Sequence, residues 1–426
     1  MKIDEIYNNF KTCTIVSTDT RKLQQNCMYF ALKGDNFDGN QFVQKAFDGG
    51  AKYCIIDNSE YKINNNCILV KDVLTTLQEL AIYHRKKIGI TIISLTGSNG
   101  KTTTKELIKA VLKTTYKVKA TEGNLNNHIG LPLTLLSFTE DLDFGIVEMG
   151  ANHLNEIEFL CNIALPDYGL ITNFGKAHLE GFGSVKGVIK AKSELYNYII
   201  SNKKTAFINT DDDIQIKQIA AYSKIINFGN GEKNDCIITL KEAKPYVTLA
   251  YNGLLIKSQL IGDYNYGNIA VAVAIGKHFK VNAENIKKGI ENYHPDNNRS
   301  EIINKGTTKI ILDAYNANPT SMLAALKNFK QLDAKNKYLF LGDMFELGTE
   351  AAKEHQAIVD FITLNFDNNI YIIGNNFYKT NTTSSFHKFR KFEDLKELLK
   401  SLQLNNTSVL IKGSRGMALE RILDNI

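Results

Sequence analysis

Residues Thr91-Ile92-Ile93-Ser94-Leu95-Thr96-Gly97-Ser98-Asn99-Gly100-Lys101-Thr102-Thr103-Thr104 constrain this chain more than any other stretch. An apolar run rich in β-branched residues favours extended backbone, and it meets a glycine-rich turn that leads into a helical pattern. A strand, a tight turn and a helix in that order can cradle phosphate. Glycine lets backbone N–H groups converge, the helix N-terminus adds its dipole, Lys101 adds a full charge, and the Thr102 hydroxyl can reach Mg²⁺. The usual first glycine of such a loop would fall at Leu95, so the chain reads G-x-x-G-K-T. Taken alone, the stretch is also compatible with an ordinary strand–turn–helix connection.

The rhythm around this segment sets the fold class. Residues 1–88 hold short strands and one or two helices, ending in a helical pattern over 73–86. The charged stretch 84–89, closed by Gly89, reads as a linker. The middle block, 89–295, alternates strands at 91–95, 144–149, 168–172 and 205–208 with helices at 103–112 and 185–199. It then passes through shorter strands over 236–261 to a helix at 266–279. Pro295 and the polar residues after it mark a boundary. The last block, 296–426, repeats the rhythm, with strands at 309–314, 337–341, 370–373 and 408–411. Its helices fall at 321–329, 351–361, 392–402 and 417–423. Strands alternating with helices imply βαβ units and parallel sheets, so the chain is α/β with two doubly wound sheets.

Bulk properties narrow the function. At 426 residues the chain exceeds one compact core, and roughly two or three domains are expected. A net charge of +6, from 51 basic and 45 acidic residues scattered along the chain, suits small anionic substrates and is too weak to argue for nucleic acid. The six cysteines form no Cys-x-x-Cys pair and lack zinc-finger spacing, as expected of reduced, buried thiols in a cytosolic protein. There is no signal-peptide pattern, and no apolar run approaches the ~20 residues needed to span a bilayer.

Several residues stand where chemistry is done on such sheets. Glu148 ends the apolar run 144–147, and a carboxylate at the C-terminal end of a parallel strand faces the ligand crevice. There it can hold a metal or remain a solvated strand-end group. His178 lies in the Gly-rich loop after the next strand, as a possible metal ligand or a hydrogen-bonded surface residue. Asn124, Asn126 and Asn127 crowd one short segment, dense in donors and acceptors and equally compatible with a surface turn. Lys192 sits on a basic amphipathic helix, and its spacing alone makes it nothing more than part of a solvated face.

Taken together, these stretches resemble the Mur ligase superfamily, and within it the MurF subgroup, over nearly the whole chain. Residues 96–103 are similar to the family P-loop, which also lacks the first glycine. Residues 123–132, 148–153 and 172–183 resemble the segments that carry metal and substrate contacts. Residues 262–270, 313–322, 341–348 with His355, and 412–417 complete the match, and residues 19–21, 30–34 and 38–40 resemble the family's uridine-nucleotide domain. Three positions depart from the usual pattern: Thr20 for serine, Asn40 for histidine and Tyr264 for histidine.

The resemblance implies three domains: a small α/β uridine-nucleotide domain (1–88), a central P-loop-type ATPase domain with a mostly parallel sheet (89–295), and a C-terminal Rossmann-like ligase domain (296–426). It implies ATP binding by Gly97, Ser98, Asn99, Gly100, Lys101, Thr102, Thr103, Asn265, Asn268, Arg299, Asp313, Tyr315 and Asn316. Thr102 and Glu148 would hold one Mg²⁺, and His178 with a carbamoylated Lys192 a second. Thr20, Arg21, Lys33, Gly39, Asn40, Asn124, Asn126 and Asn127 would meet the UDP-sugar-peptide. Lys101, Lys192, His178 and Arg299 would carry the catalysis. The implied reaction is ATP-dependent joining of D-alanyl-D-alanine to UDP-N-acetylmuramoyl-tripeptide (UDP-MurNAc-tripeptide) through an acyl phosphate, in a cytoplasmic monomer of bacterial cell-wall synthesis. A hinge is expected over 295–299. The alternatives are the neighbouring MurE-type ligase, which adds the third residue to the dipeptide precursor, and a non-catalytic nucleotide-binding switch.

Overall fold

The strand Thr91–Thr96 lies inside a seven-stranded sheet with every neighbour parallel, between Tyr168–Ile171 on one side and Phe144–Glu148 on the other. Beyond Phe144–Glu148 the edge is Val118–Ala120; beyond Tyr168–Ile171 come Thr205–Asn209, Ile225–Gly229 and Cys236–Ile237. The chain leaves Thr91–Thr96 toward one edge and later returns to build the other. Such a reversal opens a crevice at the strands' carboxyl ends. The computed structural model describes residues 2–295, 298–402 and 404–426.

Both glycines of the turn are required by the geometry. Gly97 has φ +148° and a Cβ there would collide with the Thr172 hydroxyl. Gly100 has φ +78° and a Cβ would come within 2.5 Å of Asn268 Oδ1. The helix Lys101–Leu112 follows at once and buries Leu107, Ile108, Val111 and Leu112. Each such side chain contributes up to about 1.5–3 kcal/mol when removed from water. It packs against the helix Tyr266–His278, which is apolar on all sides and enclosed.

A four-stranded parallel sheet precedes this one, in the order Val16–Ser17, Cys27–Phe30, Ala51–Ile56, Cys67–Leu69. It carries three α-helices, Ile3–Phe10, Val43–Asp48 and Val73–Ile88, where the sequence suggested one or two. The expected linker over 84–89 is instead the last turn of Val73–Ile88, which ends on Gly89 at φ +63°. Arg85 explains why. Its buried guanidinium donates to the Ala164 and Leu165 carbonyls, both at 3.1 Å, and pairs with Asp167 at 2.8 Å. The charged stretch is therefore a buried anchor to the central sheet.

After the central sheet, Thr239–Ala243, Tyr246–Tyr251 and Leu254–Ile261 form a three-stranded antiparallel sheet. Val247, Leu249 and Tyr251 alternate inward in the period of two that a half-buried strand requires. The C-terminal sheet has six strands in the order Glu301–Lys305, Thr308–Asp313, Thr407–Lys412, Asn336–Gly342, Ile370–Ile373 and Phe386–Phe389. All its pairings are parallel except the first, an antiparallel hairpin closed at Gly306. The helix expected over 417–423 is two 3₁₀ segments, Arg415–Met417 and Leu419–Asn425, with Ala418 in the left-handed region between them. A left-handed residue interrupts the i→i−4 ladder, so no α-helix can run through it. The hinge expected over 295–299 includes Asp296 and Asn297, which lie outside the described residues. No helix among the described residues is long and apolar enough to cross a membrane. All six cysteines are free thiols, and five are buried.

Candidate active site

A cavity of about 920 Å³ opens where the carboxyl ends of the central strands face the start of the C-terminal sheet. Ser98, Asn99, Gly100, Lys101, Thr102 and Thr103 line it from the P-loop. Lys101 bends back over its own turn, its Nζ donating to the Gly97 carbonyl at 2.7 Å and to that of Ser98 at 3.3 Å. Enclosure by protein pulls its pKa below the ordinary lysine value, and the nearby Glu148 charge opposes that shift. Gly97 does not line the cavity; it supplies the carbonyl that holds Lys101.

Glu148 is 2% exposed and its two oxygens are engaged separately. Oε2 accepts from Thr102 Oγ1 at 2.9 Å, and Oε1 from Asn126 Nδ2 at 2.9 Å. Its backbone N–H donates to Thr121 Oγ1 at 3.0 Å. A buried carboxylate beside a hydroxyl at the cavity wall is a pair of hard oxygen donors that could hold Mg²⁺. Among the described residues no three His, Cys, Asp or Glu side chains cluster as a self-sufficient metal site.

The amide-rich segment proves more than a surface turn. Asn126 holds Glu148, whereas Asn127 Oδ1 accepts from the Ile129 and Gly130 backbone at 3.1 and 2.8 Å, fixing the entry to the helix Gly130–Leu136. Both line the cavity; Asn124 is exposed and does not.

On the far wall Asn265 and Asn268 are buried, and Asn268 Nδ2 donates to Asn265 Oδ1 at 2.8 Å. Thr104 Oγ1 donates to Asn268 Oδ1 at 3.1 Å, which ties this wall to the P-loop helix. From the C-terminal side, the Arg299 guanidinium lies 3.6 Å from the Tyr315 ring centroid, and its Nε is buried without a partner among the described residues. An unpaired buried donor of this kind carries a desolvation cost that an anion would offset. Asp313 accepts from the Ser300 backbone at 3.1 Å and pairs with buried Lys412 at 2.5 Å. Lys412 also donates to the Asn316 carbonyl at 3.2 Å. Tyr264, where a histidine is usual, bonds Ser300 Oγ at 3.1 Å, and burial pushes its phenol pKa up.

His178 and Lys192 come from the loops and helix beside Tyr168–Ile171. His178 lines the cavity, has φ +51°, and its Nδ1 makes an ion-pair contact with Glu346, itself at φ +61°. That imidazole holds the Glu346 carboxyl below its ordinary pKa, against the opposing effect of burial. Two non-glycine residues in the left-handed region that meet face to face are strain the fold must sustain. Lys192 overturns its sequence reading as part of a solvated face. It is 1% exposed, donates to the Ala151 carbonyl at 3.2 Å, and lies 5.1 Å from the Phe182 ring centroid. Burial, with Lys101 nearby, drives its pKa well down. It stands behind the cavity wall, which Ala151 lines.

The five N-terminal residues are elsewhere, around the first sheet. Arg21 is folded onto Asp19 at 2.8 Å, and Lys33 pairs with Asp57 at 2.8 Å. Asn40 is fully buried, and its Nδ2 donates to Asp38 at 2.7 Å and Asp57 at 2.9 Å. Gly39 is required because a Cβ would press on the Ala31–Leu32 backbone. Thr20 is half-buried beside them.

Sequence reasoning gave no role to several residues that complete the cavity. Asn318 Nδ2 donates to Asn99 Oδ1 at 2.7 Å, across from the C-terminal sheet. Asn173 grips Asn99 twice, accepting from its N–H at 3.1 Å and donating to its carbonyl at 3.0 Å. Lys412 ends the strand Thr407–Lys412 and Glu346 lies in the loop after Asn336–Gly342, both within stretches that carry the family resemblance.

Known proteins align with this geometry. Residues 95–276 match the family model described as the Mur ligase middle domain, and residues 298–415 the one described as Mur ligase, glutamate ligase domain. The UDP-N-acetylmuramoyl-tripeptide–D-alanyl-D-alanine ligase of Bacillus subtilis is 36% identical over 96% of this chain and 92% of its own length. A crystal structure of MurF from Acinetobacter baumannii superposes with a TM-score of 0.87 at 29% identity, covering 99% of this chain and 98% of that one. MurF ligase from Thermotoga maritima, solved in complex with ADP, gives a TM-score of 0.83 at 25% identity over 97% of both chains.

Proposed function

This chain belongs to the Mur ligase family, and from that premise we propose that it joins D-alanyl-D-alanine to UDP-MurNAc-tripeptide at the expense of ATP, releasing ADP and phosphate. The full-length likeness to relatives bearing that activity in their names carries the reading and favours it over the MurE-type alternative. In this reading it works in the bacterial cytoplasm as a monomer on small-molecule substrates, with residues 1–88, 89–295 and 296–426 as its three domains.

A free carboxylate is a poor electrophile at neutral pH. Transfer of the γ-phosphoryl group from ATP to the tripeptide's terminal carboxylate gives an acyl phosphate. The neutral amine of D-alanyl-D-alanine then adds to its carbonyl carbon, a proton leaves the nitrogen, and the C–O bond to phosphate breaks. Phosphoryl transfer asks mainly for positioning and charge neutralisation. The P-loop amides from Gly97 to Thr103 would hold the phosphates, with Lys101 released from the Gly97 carbonyl to meet them. Arg299, with its unpaired Nε and its stack on Tyr315, would steady the transferred charge. Asn265 and Asn268 would face the base, and Asp313, Tyr315 and Asn316 would close over the nucleotide. Mg²⁺ held by Glu148 and Thr102, and a second held by His178 and a carbamate on Lys192, would draw electron density from the phosphate oxygens. The depressed Lys192 pKa supports that assignment, because only a neutral amine combines with CO₂. The carboxyl-bearing substrate would extend past Asn126 and Asn127 toward Thr20, Arg21, Lys33, Gly39 and Asn40.

The test is phosphate release and product mass with ATP and Mg²⁺. UDP-MurNAc-tripeptide with D-alanyl-D-alanine should yield the pentapeptide precursor. Product only from UDP-MurNAc-dipeptide with a diamino acid would assign the chain to the MurE-type reaction. ATP turnover without a carboxylate substrate would indicate a switch.

A further inference from the structure

We propose that Lys176 and Glu354 form the contact that registers the C-terminal sheet over the reaction cavity, making them positioning residues for use of the incoming amine. The proposal rests on the ligase reading above. Lys176 belongs to the loop after Tyr168–Ile171, and its Nζ lies 2.6 Å from Glu354 Oε1 on the helix Ala351–Thr363. Its backbone N–H also donates to Thr320 Oγ1, at 2.9 Å, in the first turn of the helix Pro319–Gln331. One residue thus contacts two C-terminal helices.

The same loop is fastened to the phosphate cradle immediately upstream. Ser98 N–H donates to the Asn173 carbonyl at 3.0 Å, and Ser98 Oγ to the Gly175 carbonyl at 2.8 Å. At Gly175 the parts converge so tightly that a Cβ would lie 2.9 Å from Asn99 Nδ2 and 3.1 Å from Thr320. The ion pair therefore sits one residue beyond the point where P-loop, loop and C-terminal helix touch. Ser98 thus ties the P-loop to the loop that carries Lys176 through one backbone and one side-chain hydrogen bond.

The energetics suit a reversible contact. The Glu354 side chain is 7% exposed and that of Lys176 46%. With the pair made, the ammonium offsets the desolvation of a nearly buried carboxylate. Such a pair selects one docking register more than it adds affinity, and it disfavours any register that leaves Glu354 unpaired. Neither residue lines the cavity.

The experiment compares Lys176→Glu, Glu354→Lys and the double exchange, with Glu354→Gln as the shape-conserving control, all verified as folded by circular dichroism. Steady-state kinetics are measured separately for ATP and for D-alanyl-D-alanine. Small-angle scattering is recorded with a non-hydrolysable ATP analogue and UDP-MurNAc-tripeptide. Each single reversal should raise KM for the dipeptide about tenfold and leave that for ATP within about twofold, while the double exchange should return it to within about threefold of the parent. The reversals should also leave the particle more extended in scattering, with the double exchange restoring compaction. A double exchange no better than the single reversals, or ATP and dipeptide KM values rising together, would overturn the proposal. If the parent compacts in a pair-dependent way and forms no pentapeptide product, the register contact stands and the ligase reading fails.

Discussion

The cavity and the N-terminal sheet handle polar groups in opposite ways. Around the cavity, fixed backbone holds the charges while part of their capacity stays open. Lys101 rests on two carbonyls of its own loop, and Arg299 keeps a buried Nε with no partner. Around the N-terminal sheet, the residues expected to meet the uridine nucleotide already satisfy one another: Arg21 with Asp19, and Lys33 and Asn40 with Asp57. In the first, the open Arg299 Nε can add an interaction at little reorganisation cost, whereas Lys101 first gives up the carbonyls of its own turn. The second must exchange internal partners for ligand, so each contact yields only a difference. Substitutions in the two regions should therefore fail differently.

The largest effect should come from Lys101→Ala. It removes the P-loop charge assigned to the phosphates, and phosphate release should fall by about 10²–10³-fold, as for loss of a donor to a transition-state anion. The Lys101 amine bonds only to carbonyls of its own turn, so thermal unfolding should shift little. Turnover near the parent rate would remove the cradle from the mechanism. Arg299→Ala comes next. It loses the guanidinium stacked on Tyr315, and KM for ATP should rise about tenfold, consistent with one charge-assisted contact. An unchanged ATP titration would mean that its unpaired Nε faces no phosphate.

The sequence made some of this contrast legible and hid the rest, for physical reasons. Local patterns carry strand ends and glycine turns, so Thr91–Thr96, Glu148 and the turn through Gly97 and Gly100 could be placed from residue order. Short strands with no alternation left little trace: Val118–Ala120 and Phe386–Phe389 are visible only in the fold. Burial is a tertiary property. Lys192 and Arg85 look like solvated charges in any window of sequence, yet both are enclosed. Their roles needed a partner 41 residues away for Lys192, the Ala151 carbonyl, and 82 residues away for Arg85, the Asp167 carboxylate. Contacts across from the C-terminal sheet, such as Asn318 to Asn99 and Lys176 to Glu354, span still greater separations that no periodicity encodes.

Asn40→Ala should be the intermediate case and should act on structure first. The buried amide joins Asp38 and Asp57 and accepts from the Asp57 backbone at 3.3 Å. Its removal leaves two carboxylates short of donors, costing about 1–3 kcal/mol, a typical penalty for buried groups left unsatisfied. Hydrogen exchange should place the loosening in the strands Cys27–Phe30 and Ala51–Ile56 and spare the P-loop strand. Loss of protection spread into the central sheet would show that the two regions are not energetically separate.

The smallest effect should come from the Asp19–Arg21 pair, where the contrast is sharpest. Arg21 presents a guanidinium fork that Asp19 already fills, with Nε and one Nη donating at 2.9 and 2.8 Å. That fork holds the Asp19 carboxyl down to about 2, against an ordinary value of 3.8. A depressed carboxyl pKa stabilises the fold above the ordinary value, and that contribution is lost only as pH falls from there toward about 2. Between about pH 5 and 9 the pair should thus stay ionised and contribute no pH dependence. Arg21→Ala removes an exposed cation whose charge is already balanced, so KM for UDP-MurNAc-tripeptide should rise only about threefold, with a small loss of stability near neutral pH, as for a solvent-screened surface pair. Asp19→Asn cuts the other way: it frees the fork and should lower that KM. If both substitutions raise it equally, the pair acts as one rigid unit and the exchange of partners inferred for this sheet is wrong. If Asp19→Asn lowers it while Arg21→Ala raises it, the nucleotide diphosphate competes with Asp19 for the same guanidinium.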